Sequence, residues 1–535
     1  MRGGETGTER LESFTALWDW SVARRGDAPF LVFEAPDGTV TDWSYREFDE
    51  VVGRTATLLV ERGVERGAAV HLALTNCPMF VATWLATLRL GAWIVPSDPM
   101  ATAPELAEHM VRTGAVVSVV SAARLDVAER AVDEVRSTGY DGHLTLVVTD
   151  EADARIDRLT GAPLGPERLA PPSPAYRAAV MFTSGTTGRP KGVEITQANY
   201  TFAGRTMAAA AGLTAEHRQL VVLPLFHANA QYYSFASAIA VGASVALMHT
   251  FSASGFVRQA AGHAATHASL FAGPMRMILA RGGPLSDADR GAGLELRLGH
   301  CWFAQNLGDD QYETLADWFG CRPRQLYGMT ETVPAVLTDS VHDPRPDTMG
   351  YVTAGCEVDV HDAAGRPCAA DVEGEVVVRG APGSTLFAGY LDDPDTTAAS
   401  YRDGWFLTGD RATRDAHGRY RFAGRRSDVL KVAGENVSVV EVEAVLTAHP
   451  DVLEAVVVGA PDPIRDEVPV AFVVTAHGGV DPDTLVESLE TWAVERLSKS
   501  KRPRTYTVVP ELPRTSVGKI RKFLLTPEHT GGSST

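Results

Sequence analysis

Hydrophobic and polar positions alternate in a rhythm over roughly the first 420 residues: short Val/Ile/Leu-rich runs, then longer stretches with apolar residues every three or four positions. A short, wholly apolar run reads as a strand buried on both faces, and the wider spacing as an amphipathic helix. Residues 69–74 followed by 79–90, and 220–225 followed by 232–241, are two such strand–helix pairs. The alternation predicts α/β layers around largely buried sheets. Two apolar stretches, 79–96 and 232–248, approach membrane-span length, but Arg89 interrupts the first and Gly242 with small polar residues the second. Each is expected to be a buried helix leading into a buried strand.

Near residue 355 the texture changes. Asp362-Ala-Ala-Gly365 and Asp415-Ala-His-Gly418 are turn signals, followed by strand-like runs at 374–379 and 419–423. They predict a small β-barrel-like subdomain over about 355–424. After Gly424-Arg-Arg-Ser427 a new unit is expected, with a helix at 440–448, strands at 455–459 and 468–474, and a helix at 482–497. The expected plan is a large N-terminal domain of layered α/β subdomains, 1–424, and a small mobile α+β C-terminal domain, 425–535, with a frayed tail at 530–535. No repeat of 20–50 residues is visible.

Composition narrows the function classes. At 535 residues the chain exceeds a single core, and its 45% apolar content is that of a globular protein. A net charge of −18 argues against non-specific nucleic-acid or membrane binding. An anionic ligand must therefore be held by local cations and backbone amides. The five cysteines (Cys77, Cys301, Cys321, Cys356, Cys368) are odd in number and lack metal-ligand spacing, which predicts neither a disulfide framework nor a zinc site and fits a reducing cytosol. The start, Met-Arg-Gly-Gly-Glu-Thr-Gly, lacks the apolar core of a signal peptide.

The densest chemistry lies in Thr183-Ser184-Gly185-Thr186-Thr187-Gly188-Arg189-Pro190-Lys191-Gly192, behind the apolar run 178–182. Glycines let backbone N–H groups turn toward an anion, hydroxyls donate to it, and lysine adds a point charge. A P-loop would need Gly before the lysine and Ser/Thr after it; Pro190 and Gly192 stand there instead. Of 49 basic residues only six are lysines: Lys191, Lys431, Lys499, Lys501, Lys519 and Lys522. Lys191, Lys431 and Lys519 sit beside glycines in loop-like settings and are read as functional; drift accounts for the other three.

Four further segments follow in order: Tyr327-Gly328-Met329-Thr330-Glu331, Gly404-Trp-Phe-Leu-Thr-Gly-Asp410, Gly424-Arg425 with Lys431-Val-Ala-Gly434-Glu-Asn436, and Arg514-Thr-Ser-Val-Gly-Lys519. Together with the Gly/Ser/Thr loop they resemble the adenylate-forming superfamily of acyl-CoA synthetases, peptide-synthetase adenylation domains and beetle luciferases. The resemblance spans nearly the whole chain. It implies ATP and Mg²⁺ as cofactors, CoA as co-substrate, and two half-reactions separated by rotation of the C-terminal domain. It implies that residues 183–187 and Lys191 hold phosphate, with Thr186 catalytic. Tyr327, Gly328 and Met329 flank adenine, Thr330 meets phosphate oxygens, and Glu331 is the Mg²⁺ ligand. Asp410 and Arg425 hold the ribose. Lys519 serves adenylation by offsetting transition-state charge, and Lys431 with Gly434 serves thiol transfer. His227, in Leu225-Phe-His227, matches the gate of the acyl pocket; alone it would read as a core histidine. Asn229 and Asn306 are further pocket candidates. The other histidines, His267 and His300 among them, carry no functional reading.

The chain also departs from the pattern. Trp302-Phe-Ala-Gln-Asn-Leu-Gly308 replaces the usual Gly-Gly-Ala-Pro segment, Ser427 stands where Asp or Lys forms the hinge, and Val437-Ser-Val-Val-Glu-Val-Glu443 lacks the usual proline. Residues 434–438 and Ile464-Arg-Asp-Glu467 are most similar to the crotonobetaine/carnitine–CoA ligase-like branch. The polar, aromatic run His227-Ala-Asn-Ala-Gln-Tyr-Tyr233 suits a small aromatic or polar acid better than a long acyl chain. Two alternatives stay open: an adenylating ligase with a non-CoA acceptor, including nitrite activation and diazotisation of an aromatic amine, and a non-catalytic nucleotide-binding protein. A cytoplasmic monomer or homodimer is expected.

Overall fold

The computed structural model describes residues 11–140, 142–153, 156, 161–183, 190–304, 307–425, 429–432, 435–462, 465–476, 480–514 and 520–525. A seven-stranded sheet contains the first strand–helix pair. Its strand Ala69–Ala73 is buried at every position and lies parallel to Trp93–Pro96 and Ala115–Ser121. The helix Pro78–Arg89 buries every residue but Arg89, which reaches out to Asp49 at 2.8 Å. One polar group is embedded in the sheet: His71 bonds Ser118 at 2.7 Å and Ser97 at 3.0 Å, and burial pushes its pKa down to about 3. The same sheet ends in the antiparallel strands Arg177–Thr183 and Lys191–Thr196 and the short Gly389–Tyr390.

A nine-stranded sheet carries the second pair. Its parallel centre runs Arg324–Tyr327, His300–Phe303, His267–Ser269, Arg218–Val221, Ser244–Met248, Pro29–Glu34. The helix expected at 232–241 begins earlier and is wound differently: Asn229–Ala236 is π-helical and only Ser237–Val241 is α-helical, ending at Gly242. Side chains compete for the ladder here. The Tyr233 carbonyl accepts from Gln219 Nε2 at 3.3 Å and from the Ser237 hydroxyl at 2.7 Å. Gln231 Nε2 meanwhile bonds the Leu225 carbonyl at 2.6 Å. Such insertions widen a helical turn.

The β-rich part is an antiparallel sheet of Glu357–His361, Gly374–Arg379 and Trp405–Arg414, with Tyr401–Arg402 and Tyr420–Arg425 both paired to Trp405–Arg414. The Tyr420 hydroxyl donates to the Val358 carbonyl at 2.9 Å, curling the last strand back toward the first.

The small C-terminal domain has its own sheet, Glu435–Ser438, Val429–Val432, Asp466–Thr475, Val452–Asp462, with Thr505–Val508 parallel to Asp466–Thr475. Helices Val439–Thr447 and Pro482–Arg496 fall where the apolar pattern puts them. Leu430, Val437, Leu446, Val473 and Leu489 form one core there, and Val456, Phe472 and Leu512 a second. Buried Glu454 receives Arg276 of the helix Ala272–Arg281 at 2.7 Å and also pairs with Arg514. Burial would raise the Glu454 carboxyl, but the two guanidiniums hold it below its ordinary value. Lys501 and Lys522 pair with Glu441 and Glu443 at 2.7 and 2.8 Å. The five cysteines are free thiols. Among the described residues no helix is long and apolar enough to cross a membrane.

Candidate active site

Two groups of side chains converge on the segment that follows the strand Arg324–Tyr327. In the first, Tyr327 donates its hydroxyl to Asp410 Oδ2 at 2.7 Å, while Arg425 Nε donates to Asp410 Oδ1 at 2.8 Å. Burial, then the Asp410 charge, holds the Tyr327 phenol far above its ordinary pKa, so it stays a donor. Asp410 is only 4% exposed, and a bulge places it there. Between Leu407 and Arg411 the strand Trp405–Arg414 slips register against Gly374–Arg379, and Gly409 takes φ +74°, a conformation other residues rarely adopt. The Thr408 hydroxyl secures the bulge, donating to the Val376 carbonyl at 2.7 Å and accepting from the Asp410 N–H at 3.1 Å. Each Asp410 oxygen keeps lone-pair capacity beyond the bond described, enough for two adjacent hydroxyls.

In the second group, Glu331 is 5% exposed and accepts the Tyr390 hydroxyl on Oε1 at 3.1 Å. The Lys191 ammonium lies over the Tyr390 ring, 4.8 Å from its centre. Burial, then the Glu331 charge, keeps Tyr390 protonated. Thr183 and Lys191 face each other in the antiparallel pair that carries the Gly/Ser/Thr loop. Between the two groups the chain turns tightly: Thr332 Oγ1 accepts from the Met329 N–H at 3.0 Å and donates to carbonyls at 3.1 Å. Gly328 must be glycine, because a Cβ there would stand 2.8 Å from the Ala335 backbone and 3.2 Å from the Tyr233 hydroxyl.

Of the pocket candidates, His227 precedes the π-helical segment, its ring 4.7 Å from Phe226, and the neighbouring Tyr233 is buried. Asn229 begins that segment, and its Oδ1 is buried with no hydrogen-bond partner among the described groups.

A family model described as "AMP-binding enzyme" matches residues 18–391, and one described as its C-terminal domain matches residues 441–519. The chain belongs to the AMP-binding enzyme family. It is an AMP-forming ligase resembling acyl-CoA synthetases. It is 32% identical over 519 residues to a crotonobetaine/carnitine–CoA ligase of Salmonella agona, covering 96% of this chain and 98% of that one. Among solved structures, the anthranilate CoA ligase AuaEII in complex with anthranoyl-AMP shares its fold (TM-score 0.85, 24% identity, 96% of each chain). So does a benzoate CoA ligase from Burkholderia xenovorans LB400 (TM-score 0.84, 23% identity, 96% of this chain and 99% of that).

For this AMP-binding enzyme the structure gathers Thr183, Lys191, Tyr327, Gly328, Met329, Thr330, Glu331, Asp410 and Arg425 around one turn. Lys431 is placed by its backbone only, opposite Asn436 in a strand pair. Ser184, Gly185, Thr186, Thr187, Asn306, Gly434 and Lys519 lie outside the described residues. Tyr390 was missed by the sequence reading: a lone Gly-Tyr pair carries no motif, and its link to Glu331 depends on strand pairing across the fold.

Proposed function

We propose that this ligase activates a small polar or aromatic carboxylic acid with ATP and then passes the acyl group to CoA. In the first step an acid oxygen attacks the α-phosphorus, the bond to the bridging oxygen breaks, and pyrophosphate leaves. In the second, the CoA sulfur attacks the acyl carbon of the mixed anhydride, AMP departs, and the thiol proton passes to solvent. The observation that carries this reading is the Asp410 clamp, a buried carboxylate aimed by Tyr327 and Arg425 with capacity for two vicinal hydroxyls.

The remaining roles follow. Tyr327 offers its ring to adenine, and Thr183, Lys191 and the loop between them take the phosphates. Glu331 suits Mg²⁺, a hard cation commonly held by one carboxylate together with substrate phosphates. No group of three or more His, Cys, Asp or Glu side chains among the described residues is placed to hold a metal alone. Mg²⁺ there would neutralise phosphate charge. Lys519 serves adenylation; Lys431 and Gly434 serve thiol transfer after the small domain turns about a boundary near residue 425. Strand Tyr420–Arg425 ends one sheet and Val429–Val432 begins the next, which supports that boundary. His227, Asn229 and Asn306 line the acid pocket. A substrate N–H or O–H would satisfy the Asn229 oxygen, and the crotonobetaine/carnitine–CoA ligase relatives support a small polar acid. The enzyme acts in the cytoplasm, as a monomer or homodimer.

The test measures AMP and pyrophosphate release from MgATP across a panel of small acids, nitrite included, each with and without CoA. The expected result is release that depends on one organic acid and yields its thioester only with CoA. ATP breakdown indifferent to any acid would overturn the proposal; turnover with nitrite would overturn its carboxylate half.

A further inference from the structure

The sheet that presents Tyr327 at one edge presents a row of basic side chains at the other. The parallel strands begin with His267, His300 and Arg324, and His217 stands just before a fourth, Arg218–Val221. Register aligns them, with His267 opposite His300 and Arg324 opposite Trp302. The rings of His217 and His267 lie 4.7 Å apart and those of His267 and His300 5.3 Å apart. They line a cleft of about 660 Å³, with Arg297, Arg322 and His342 at its exposed rim.

Hydrogen bonding sets the tautomer of each ring. Arg324 can only donate, so the contact of its Nη1 with His300 Nδ1 at 3.3 Å makes Nδ1 the acceptor. The Thr214 N–H does the same to His217 Nδ1 at 3.0 Å, and His267 Nε2 donates to the Ala211 carbonyl at 3.2 Å. In the neutral form each of the three rings therefore carries its proton on Nε2. Burial first, then Arg324, lowers the His300 pKa, in keeping with that form. His300 is 5% exposed, and its Nε2 has no partner among the described groups. A buried donor left without an acceptor is costly, and a bound acceptor would relieve that cost. Arg324 also donates to the carbonyls of Asp339 and Ala210, and among the described residues no carboxylate oxygen is hydrogen-bonded to it, although the Asp339 charge acts on it from farther off. The Asp339 carboxylate accepts from the N–H groups of Ser340 and Arg345. Arg297 and Arg322 pair with Glu295 and Glu313, but at exposed positions where such pairs exchange readily. Row and rim offer donors and positive charge, which suit an acceptor rather than a metal ion.

We propose that this cleft is a second binding site, for a small oxyanion, whose oxygen accepts His300 Nε2–H while Arg324 and the rim arginines supply the charge. It is separate from the nucleotide site: Arg324 and Tyr327 close opposite ends of a strand about 10 Å long.

The test titrates the full-length protein by calorimetry with inorganic phosphate and, separately, with acetate. His300→Phe keeps a ring and deletes the donor; Arg297→Gln, at the exposed rim, serves if His300→Phe does not fold. Lys191→Met perturbs the nucleotide cleft instead. Saturable binding of either anion is expected, and the preferred one tells whether phosphate or carboxylate is the ligand. Measured with ATP, without Mg²⁺, filling the nucleotide cleft, affinity should fall about tenfold or more in His300→Phe and severalfold in Arg297→Gln, with no change in Lys191→Met. Absence of saturable binding of both anions would overturn the proposal. So would affinity that falls in Lys191→Met yet holds in the other two variants.

Discussion

Two carboxylates of equal burial flank the turn at 327–332, and the protein holds them by different means. Asp410 accepts from a guanidinium and a phenol, Arg425 and Tyr327, so its charge is balanced where it sits. Among the bonds described, Glu331 accepts from a neutral phenol, Tyr390, whose ring lies beneath the Lys191 cation. A neutral donor orients a carboxylate without cancelling its charge, whereas a guanidinium does both. The first arrangement suits hydroxyl groups, which need an acceptor fixed in place. The second suits a cation, which needs the charge itself. The contrast fits the proposed division of one turn between sugar and metal by side chains of the same chemistry.

The largest effect should come from Asp410→Ala. It removes an acceptor for two hydroxyls and takes one bond each from Arg425 and Tyr327, so acid-dependent pyrophosphate release should fall at least about a hundredfold. A loss below about tenfold would break the ribose half of the comparison. Next comes Glu331→Gln, which keeps the shape and deletes the charge. The half-saturating Mg²⁺ concentration in the same assay should rise about ten- to a hundredfold, and Asp410→Asn should leave it in place. If both variants shift it equally, the two carboxylates do not divide the work. Tyr390→Phe sharpens the point further. It preserves the ring beneath Lys191 and removes only the hydrogen bond, so Mg²⁺ dependence should move in the same direction by about three- to tenfold. The smallest effect is expected from Arg425→Lys. Arg425 is 58% exposed, so thermal unfolding should change by no more than about 1 kcal/mol while the KM for ATP rises.

How much of this was visible beforehand depended on the range of the interactions. Strong local patterns translated directly: the strand Gly374–Arg379 lies where its Val run predicts, and the helix Pro482–Arg496 starts behind its Asp481 cap. Tyr327, Glu331, Asp410 and Arg425 were legible because motif spacing marked them. Tyr390 was not, because its strand is two residues long and its partner stands 59 positions away. Nor was the π-helical winding of Asn229–Ala236, since an apolar run this short does not separate one helical period from the other. The basic row at the far sheet edge was hidden for a third reason. His217, His267, His300 and Arg324 share no spacing, and only parallel register sets them side by side.

Under the proposed turn of the small domain, the bridge through Glu454 bears on how quickly the enzyme would alternate between its two half-reactions. Arg276 lies before the proposed boundary, whereas Glu454 and Arg514 travel together after it. A turn of the small domain must therefore part Arg276 from Glu454 and leave Glu454 its second guanidinium. The carboxylate never crosses the transition unaccompanied, which spares it the penalty of a buried lone charge. The contact then acts as a detent, slowing departure from this arrangement without forbidding it. Because the folded Glu454 titrates below its unfolded value of 4.5, the detent holds throughout the neutral range and slackens as pH falls through that lower point. Domain alternation, rather than bond making, would be the event that acid or high salt quickens.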